Sequence, residues 1–236
     1  MLEQDILNLM HIPSEQLTDL VGYPVQYASN YFVVNDNDAT IRFVSKSESG
    51  YIVLHSLELG KRPKGAIFYI NKNDKDIKNQ KESIDKKKNR LSLGKPAGWD
   101  KINKNKDYEV YFHRGHIIAC SLGGDKEIKG HDYKALKSLF IQTACSNMGK
   151  DVKEEEEEKI NKFSQWHFEK IIKDTVVTES VCMASRPVYR NKADVIPIGV
   201  HLQAVTKERS LFNVFLPNID PNIVIDYKKC TFKLKK

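Results

Sequence analysis

Stretches of apolar residues four to five long, set between polar runs, recur along this chain and predict β-strands. Tyr31-Phe32-Val33-Val34 and Thr40-Ile41-Arg42-Phe43-Val44 flank Asn35-Asp36-Asn37-Asp38, which predicts a β-hairpin. Tyr51-Ile52-Val53-Leu54 and Ala66-Ile67-Phe68-Tyr69-Ile70 predict two further strands, and the stretches from Tyr108 to Phe112 and from His116 to Cys120 read as strand as well. Helical spacing appears first at Leu2, Ile6, Leu9 and Met10, ahead of Pro13, and predicts a short amphipathic helix packed on the body. Ala135 to Asn147 reads as mostly helical. Further on, Asp151 with Glu154 suggests a capping box, with Glu154 to Glu158 in the first turns, where negative charge complements the helix dipole. On that helix Ile160, Phe163, His167 and Ile171 fall on one face and Glu169 on the other. Glu169 is therefore directed either to solvent or to a different surface, such as a cleft.

Composition narrows the class. At 236 residues and 40% hydrophobic content the chain can bury a sizeable core. The simplest organisation is an N-terminal extension over residues 1–50, a helix plus a hairpin, packed on one domain over residues 51–236. The formal charge of +7 favours polyanionic partners, although a lysine-rich composition alone would give the same sign. Asn71 to Arg90 is almost wholly polar, and its lysines, Lys86, Lys87 and Lys88 among them, either track a nucleic-acid backbone or cover a solvated loop. No apolar run reaches the ~20 residues a membrane span needs, and Met1 to Gln16 lacks the basic start and apolar stretch of a secretory signal. Cys120, Cys145, Cys182 and Cys230 form no C-x-x-C pair, which argues against a zinc ribbon or a disulfide scaffold. Cys120 and Cys182 sit in apolar segments and read as buried thiols.

The chemistry concentrates in His113-Arg114-Gly115-His116 and, further on, Gln142-Thr143-Ala144-Cys145-Ser146-Asn147. Cleaving a phosphodiester takes a base to activate water and charge to neutralise the phosphate. An imidazole titrating near neutrality suits the first task, which makes His116 the candidate base. An amide oxygen suits a hard, hydrated cation, which makes Asn147 the candidate metal ligand. These two motifs resemble the signature of the DNA/RNA non-specific endonuclease family, Asp-Arg-Gly-His or a variant followed by Gln-Thr-x-x-x-Asn. The resemblance continues through Leu57-Glu58-Leu59-Gly60-Lys61 and Lys95-Pro96-Ala97-Gly98-Trp99. It then runs through Pro187-Val188-Tyr189, Pro197 to Ala204, Phe212 to Asn218 and Ile225-Asp226-Tyr227. It is nearest to the streptococcal-type secreted and DNA-entry nucleases and covers roughly residues 50 to 228.

The resemblance implies an α+β fold, a central and mostly antiparallel sheet with helices that carries a ββα-metal motif. It implies an endonuclease acting on DNA and RNA with little sequence preference, using Mg²⁺ with Mn²⁺ as a substitute. His116 would be the base and Asn147 the metal ligand. Glu169, within Trp166-His167-Phe168-Glu169, would act through metal-bound waters, and Arg114, with Arg186 if it reaches the cleft, would meet the phosphate charge. Gln142, Lys86, Lys87 and Lys88 complete the substrate-binding candidates. The chain departs from the family at His113, where an acid is usual, at Met148, where Gln is common, and at Ser138, where many members have Asn. Two other readings stay open. One is a toxin module held in check by an inhibitor protein, and the other is a nucleic-acid-binding module that has lost its chemistry, for which His113 is the best support.

Overall fold

The computed structural model describes residues 1–45, 50–72, 94–124, 132–149 and 163–235. Lys86, Lys87 and Lys88, the Asp151–Glu154 capping box, the glutamate run and Ile160 lie outside these residues.

Two short helices, α1 (Glu3–Met10) and α2 (Ser14–Val21), open the chain. Each ends on a left-handed residue, His11 and Gly22, which lets the chain turn sharply. Strands β1 (Val25–Ala28) and β2 (Tyr31–Val34) follow as a tight hairpin. Its two turn residues, Ser29 and Asn30, have φ of 52° and 78°, the pattern of a turn whose twist matches the strands. The predicted hairpin is therefore displaced by one element. Asn35, Asp36 and Asn37 also have positive φ and steer the chain off the sheet edge, so Thr40 to Val44 forms no strand. That segment instead crosses the sheet on side-chain bonds, with Thr40 N donating to Gln203 Oε1 (2.7 Å) and Val44 N to Cys182 Sγ (3.3 Å).

The sheet is completed by β3 (Tyr51–Leu54), β4 (Ala66–Ile70) and, later in sequence, β7 (Val181–Val188), β8 (Gly199–Val205) and β9 (Ser210–Pro217). The seven strands run β1-β2-β9-β8-β7-β4-β3, every pair antiparallel. This is the α+β architecture with a mostly antiparallel sheet that the sequence implied. Residues 1–45 add two strands to that sheet rather than standing apart from it.

Strand alternation gives the sheet two buried faces. Phe68, Ile70, Val181, Met183, Val200, Leu202, Phe212 and Val214 point to the front and pack against Phe168, Ile172 and Val176 of a long helix, α7 (Gln165–Val176). On the back, Phe32, Val34 and Phe215 meet α1 and α2, while Tyr69, Cys182 and Val205 meet Ala39, Ile41 and Phe43. Burying Phe168, Ile172 and Val176 stabilises the α7 contact by roughly 1.5–3 kcal/mol per side chain.

Among the described residues between β4 and α7 lie four short helices and a second hairpin. The helices are α3 (Trp99–Ile102), α4 (Tyr108–Tyr111), α5 (Asp132–Ser138) and α6 (Ala144–Met148). The hairpin pairs β5 (Phe112–His116) with β6 (Leu139–Thr143). One expectation needs correction here: Tyr108 to Tyr111 is helical rather than strand. The stretch from Ala135 to Asn147, read as mostly helical, is two helical pieces with β6 between them. The five residues of β6, Leu139-Phe140-Ile141-Gln142-Thr143, are all buried, and a short continuous apolar run gives helix and strand the same periodicity signal. A final hairpin, β10 (Ile223–Asp226) with β11 (Thr231–Leu234), packs beside β5 through Phe232, whose ring lies 5.3 Å from that of Phe112. Among the described residues no helix is long and apolar enough to cross a membrane.

Candidate active site

The second hairpin explains why its two motifs read as they do. His113 pairs with Gln142 and Gly115 with Phe140, so His113, Gly115 and Gln142 share one face of the hairpin. Gln142 lies flat over Gly115. A Cβ at position 115 would come within 2.3 Å of Gln142 Oε1 and 2.6 Å of Gln142 Cβ, so only glycine fits between Arg114 and His116. The Gly98 of Lys-Pro-Ala-Gly-Trp has a similar reason, since its φ is +80° and a Cβ there would lie 2.6 Å from Cys230 Sγ.

Gln142 is fully buried and holds the centre together. Its Nε2 donates to Ser146 Oγ (3.3 Å) on α6 and to Gln165 Oε1 (3.0 Å) at the start of α7. Gln165 Nε2 spends its two hydrogens on the His116 carbonyl (2.7 Å) and on Glu169 Oε1 (2.8 Å). One chain of amides thus fixes the backbone of His116 against the carboxylate of Glu169. Gln142, expected to bind substrate, is fully buried, with its amide nitrogen engaged by Ser146 and Gln165.

Thr143 and Asn218 anchor the same unit. Thr143 Oγ1 accepts from Ser146 N (3.1 Å), capping α6, and donates to the Ile219 carbonyl (2.8 Å). Asn218, also fully buried, accepts from Thr143 N (2.7 Å) and donates to the carbonyls of Ile141 and Pro197, both at 2.9 Å. The Gln-Thr of one motif and the Asn of Leu216-Pro217-Asn218 are therefore the joints between the hairpin, α6 and the end of the sheet.

Asn147 stands on α6, where its Nδ2 lies 2.9 Å from His113 Nδ1. Glu169 is buried on α7, within the stripe Gln165, Phe168, Glu169, Ile172 and Val176. The helix begins at Gln165, with Ser164 as its cap, so Phe163 precedes it, and the buried face is the one that carries Glu169. Of the two surfaces the sequence left open for Glu169, the structure selects the inward one. Burial pushes its carboxyl up to about 7, partly offset by the hydrogen bond from Gln165 and the charge of Lys173. His116 is half-buried at the end of β5, its Nε2 3.1 Å from the sulfur of Cys120. Cys120 is exposed rather than buried, because the chain leaves β5 in a 3₁₀ turn over Cys120–Leu122 and not as a strand. Arg114, on the face of β5 opposite His113, reaches toward the Gly94 carbonyl at 3.5 Å.

Arg186 does not join this group. It pairs with His201 across β7 and β8 on the back of the sheet, and its Nη2 donates to the Val21 carbonyl (2.7 Å) at the end of α2. Its contact with the phosphate is conditional on reaching the cleft; with strand period two, Ser185 faces the front and Arg186 the back. His201 beside it is buried against Asn213 Oδ1 (2.7 Å), and burial pulls its pKa down to about 4. Ser138 is buried, and Met148 is exposed at the end of α6.

Sequence reasoning missed Gln165, although its spacing of one helical turn from Glu169 carries the signal. It also missed the role of Asn218, which no local pattern announces.

Hairpin, capped helix and glutamate-bearing helix come together as one ββα unit, and the chain is an endonuclease with the fold of known nucleases. The solved structures it resembles agree. NucA from Streptococcus agalactiae with magnesium ion bound is 26% identical, with a TM-score of 0.69 over 94% of this chain and 94% of that one. Sda1 nuclease with bound zinc ion is 18% identical, with a TM-score of 0.54 over 78% of this chain and 82% of that one. A protein described as an extracellular nuclease is 14% identical, with a TM-score of 0.56 over 84% of this chain and 100% of that one. No protein-family model and no curated protein matches the chain.

The donor set fits a hydrated divalent cation. With Asn147 Nδ2 turned to His113, its amide oxygen is the atom left to meet a metal. Among the described residues no three His, Cys, Asp or Glu side chains gather to hold a metal ion. A cation that keeps most of its waters and takes one or two protein oxygens suits such a site.

Proposed function

We propose that this chain is a metal-dependent, sugar-non-specific endonuclease that hydrolyses phosphodiester bonds of DNA and RNA. The observation that carries this reading is the amide chain from Gln142 through Gln165 to the His116 carbonyl and Glu169. It joins the two sequence motifs and the glutamate into one rigid unit, and rigidity of that kind is what in-line attack on a phosphate requires.

In this reading His116 accepts the proton of the attacking water through its imidazole. Asn147 would hold the cation by its amide oxygen, and a divalent cation such as Mg²⁺ or Mn²⁺ would supply charge neutralisation on the phosphate and at the leaving oxygen. Glu169 would act on that cation through its waters, and Arg114 would pair with a phosphate oxygen. Contacts of this type fall on the backbone of the nucleic acid rather than on base edges, so one site serves both sugars. The magnesium-bound NucA supports a divalent cofactor.

The test is nicking of supercoiled plasmid, with a structured RNA in parallel. Cleavage of both substrates in Mg²⁺, its loss in EDTA, and a fall of several orders of magnitude in His116→Ala with the fold retained are the expected results. Full activity in EDTA would overturn the metal-dependent reading, and near wild-type cleavage by His116→Ala would move the base elsewhere.

A further inference from the structure

We infer that His113, which stands where related nucleases carry an acid, is a positioning residue that sets the orientation of the Asn147 amide. The inference rests on the proposed role of Asn147 as the metal ligand. Nδ2 of Asn147 lies 2.9 Å from His113 Nδ1. An amide nitrogen only donates, so the ring nitrogen facing it accepts, and the proton of the neutral imidazole is on Nε2. This contact distinguishes the two ends of the amide. It takes up the nitrogen and turns the oxygen the other way, and only the oxygen can bind a cation.

The ring is itself held in place. His113 lies on β5 opposite Gln142, one of the most firmly anchored residues of the hairpin, and on the hairpin face that meets α6. Asn147 sits on a helix of only five residues, capped at its start by Thr143 and closed by Gly149 at φ 73°. A side chain near the end of so short a helix has little to fix its second torsion except a partner outside the helix. His113 is that partner, and it ties the ligand to the strand that carries the base. Partners of this kind change metal affinity by roughly tenfold to a hundredfold when they are removed.

Two variants separate the hydrogen bond from the ring. His113→Ala removes the acceptor. His113→Asn keeps an acceptor oxygen close to where Nδ1 lies, so it should still receive the bond from Asn147. The experiment has two parts. Nitrogen-15 spectra of the metal-free wild type report the tautomer of His113, and Mn²⁺ titrations followed by electron paramagnetic resonance report affinity in the wild type, His113→Ala, His113→Asn and Asn147→Ala. An unprotonated Nδ1, affinity weakened roughly tenfold or more in His113→Ala, and recovery in His113→Asn are expected. A proton on Nδ1 would mean that the amide oxygen faces the ring, and would overturn the inference with no metal involved. Weakened binding in Asn147→Ala beside unchanged binding in His113→Ala would refute the positioning role alone. Unchanged binding in Asn147→Ala would show instead that the metal assignment, and the inference built on it, is wrong.

Discussion

Glu169→Gln tests the buried carboxylate in a way that activity cannot. The group lies on the packed face of α7, and burial lifts its pKa from the ordinary 4.5 to about 7. Below pH 4.5 the carboxyl is protonated in both folded and unfolded chains and costs nothing. Between 4.5 and 7 the unfolded chain ionises first, so folding takes up a proton and stability falls as pH rises; above 7 both states are ionised and the full cost is present. The displacement from 4.5 to about 7 corresponds to roughly 3 kcal/mol. Glutamine keeps an oxygen to accept from Gln165 and removes the titration. In EDTA the variant should therefore gain on the wild type as pH rises, with the gap in Tm widening by roughly 5–10 °C between about pH 5 and pH 8 for a chain of this size. Comparing two pH values cancels any fixed cost of the new amide. Adding Mg²⁺ should shrink the wild-type penalty, because a nearby cation favours the charged form. Thermal unfolding followed by circular dichroism reads all of this, and a gap in Tm that is the same at both pH values in EDTA would refute the reasoning.

Gly115→Ala should destabilise the chain by roughly 1–3 kcal/mol in denaturant titrations, because its Cβ would press on Gln142, which is fixed by two hydrogen bonds. Alkylation of exposed Cys120 should outpace that of buried Cys182 and Cys230 and should inhibit cleavage, since the adduct would be carried on a sulfur 3.1 Å from His116 Nε2; Cys120→Ser that is inhibited equally by the reagent would count against this. Arg186→Ala should lower Tm by a few degrees through the lost tie to α2 while kcat/KM holds, and a large loss of cleavage would return Arg186 to the substrate side.

What could be read from the sequence follows from how local each signal is. The strands β3 and β4 were legible because one stretch of chain carries the whole pattern, and so were the motifs around His116 and Asn147. β6 was not, because a strand buried on both faces loses the alternation that distinguishes it from a helix. The stripe on α7 was assigned to the wrong side because the helix starts at Gln165, so Phe163 lies outside the element whose face it was used to define. That Gln142 is buried and that Arg186 lies on the back of the sheet could not be read from the sequence for a common reason. Each is polar and stands within a motif, but whether it meets substrate depends on which face of a sheet or hairpin it occupies, and that is settled by partners far away in sequence. For Gln142 the partner is Gln165, and for Arg186 it is the carbonyl of Val21.

The same reasoning recasts the motifs. Of the residues by which the chain resembles nucleases, Gly115, Gln142, Thr143 and Asn218 fit, cap and join the elements of the protein. In the proposed reading His116, Asn147, Arg114 and Glu169 carry the chemistry, and the departure at His113 becomes intelligible. A strand residue facing Asn147 needs to accept one hydrogen bond from the amide, and an imidazole nitrogen meets that requirement as a carboxylate oxygen would. The substitution can thus keep the metal ligand oriented while removing a negative charge beside it. Sensitivity of cation affinity to ionic strength should then be weaker in the wild type than in His113→Asp, which would restore that charge.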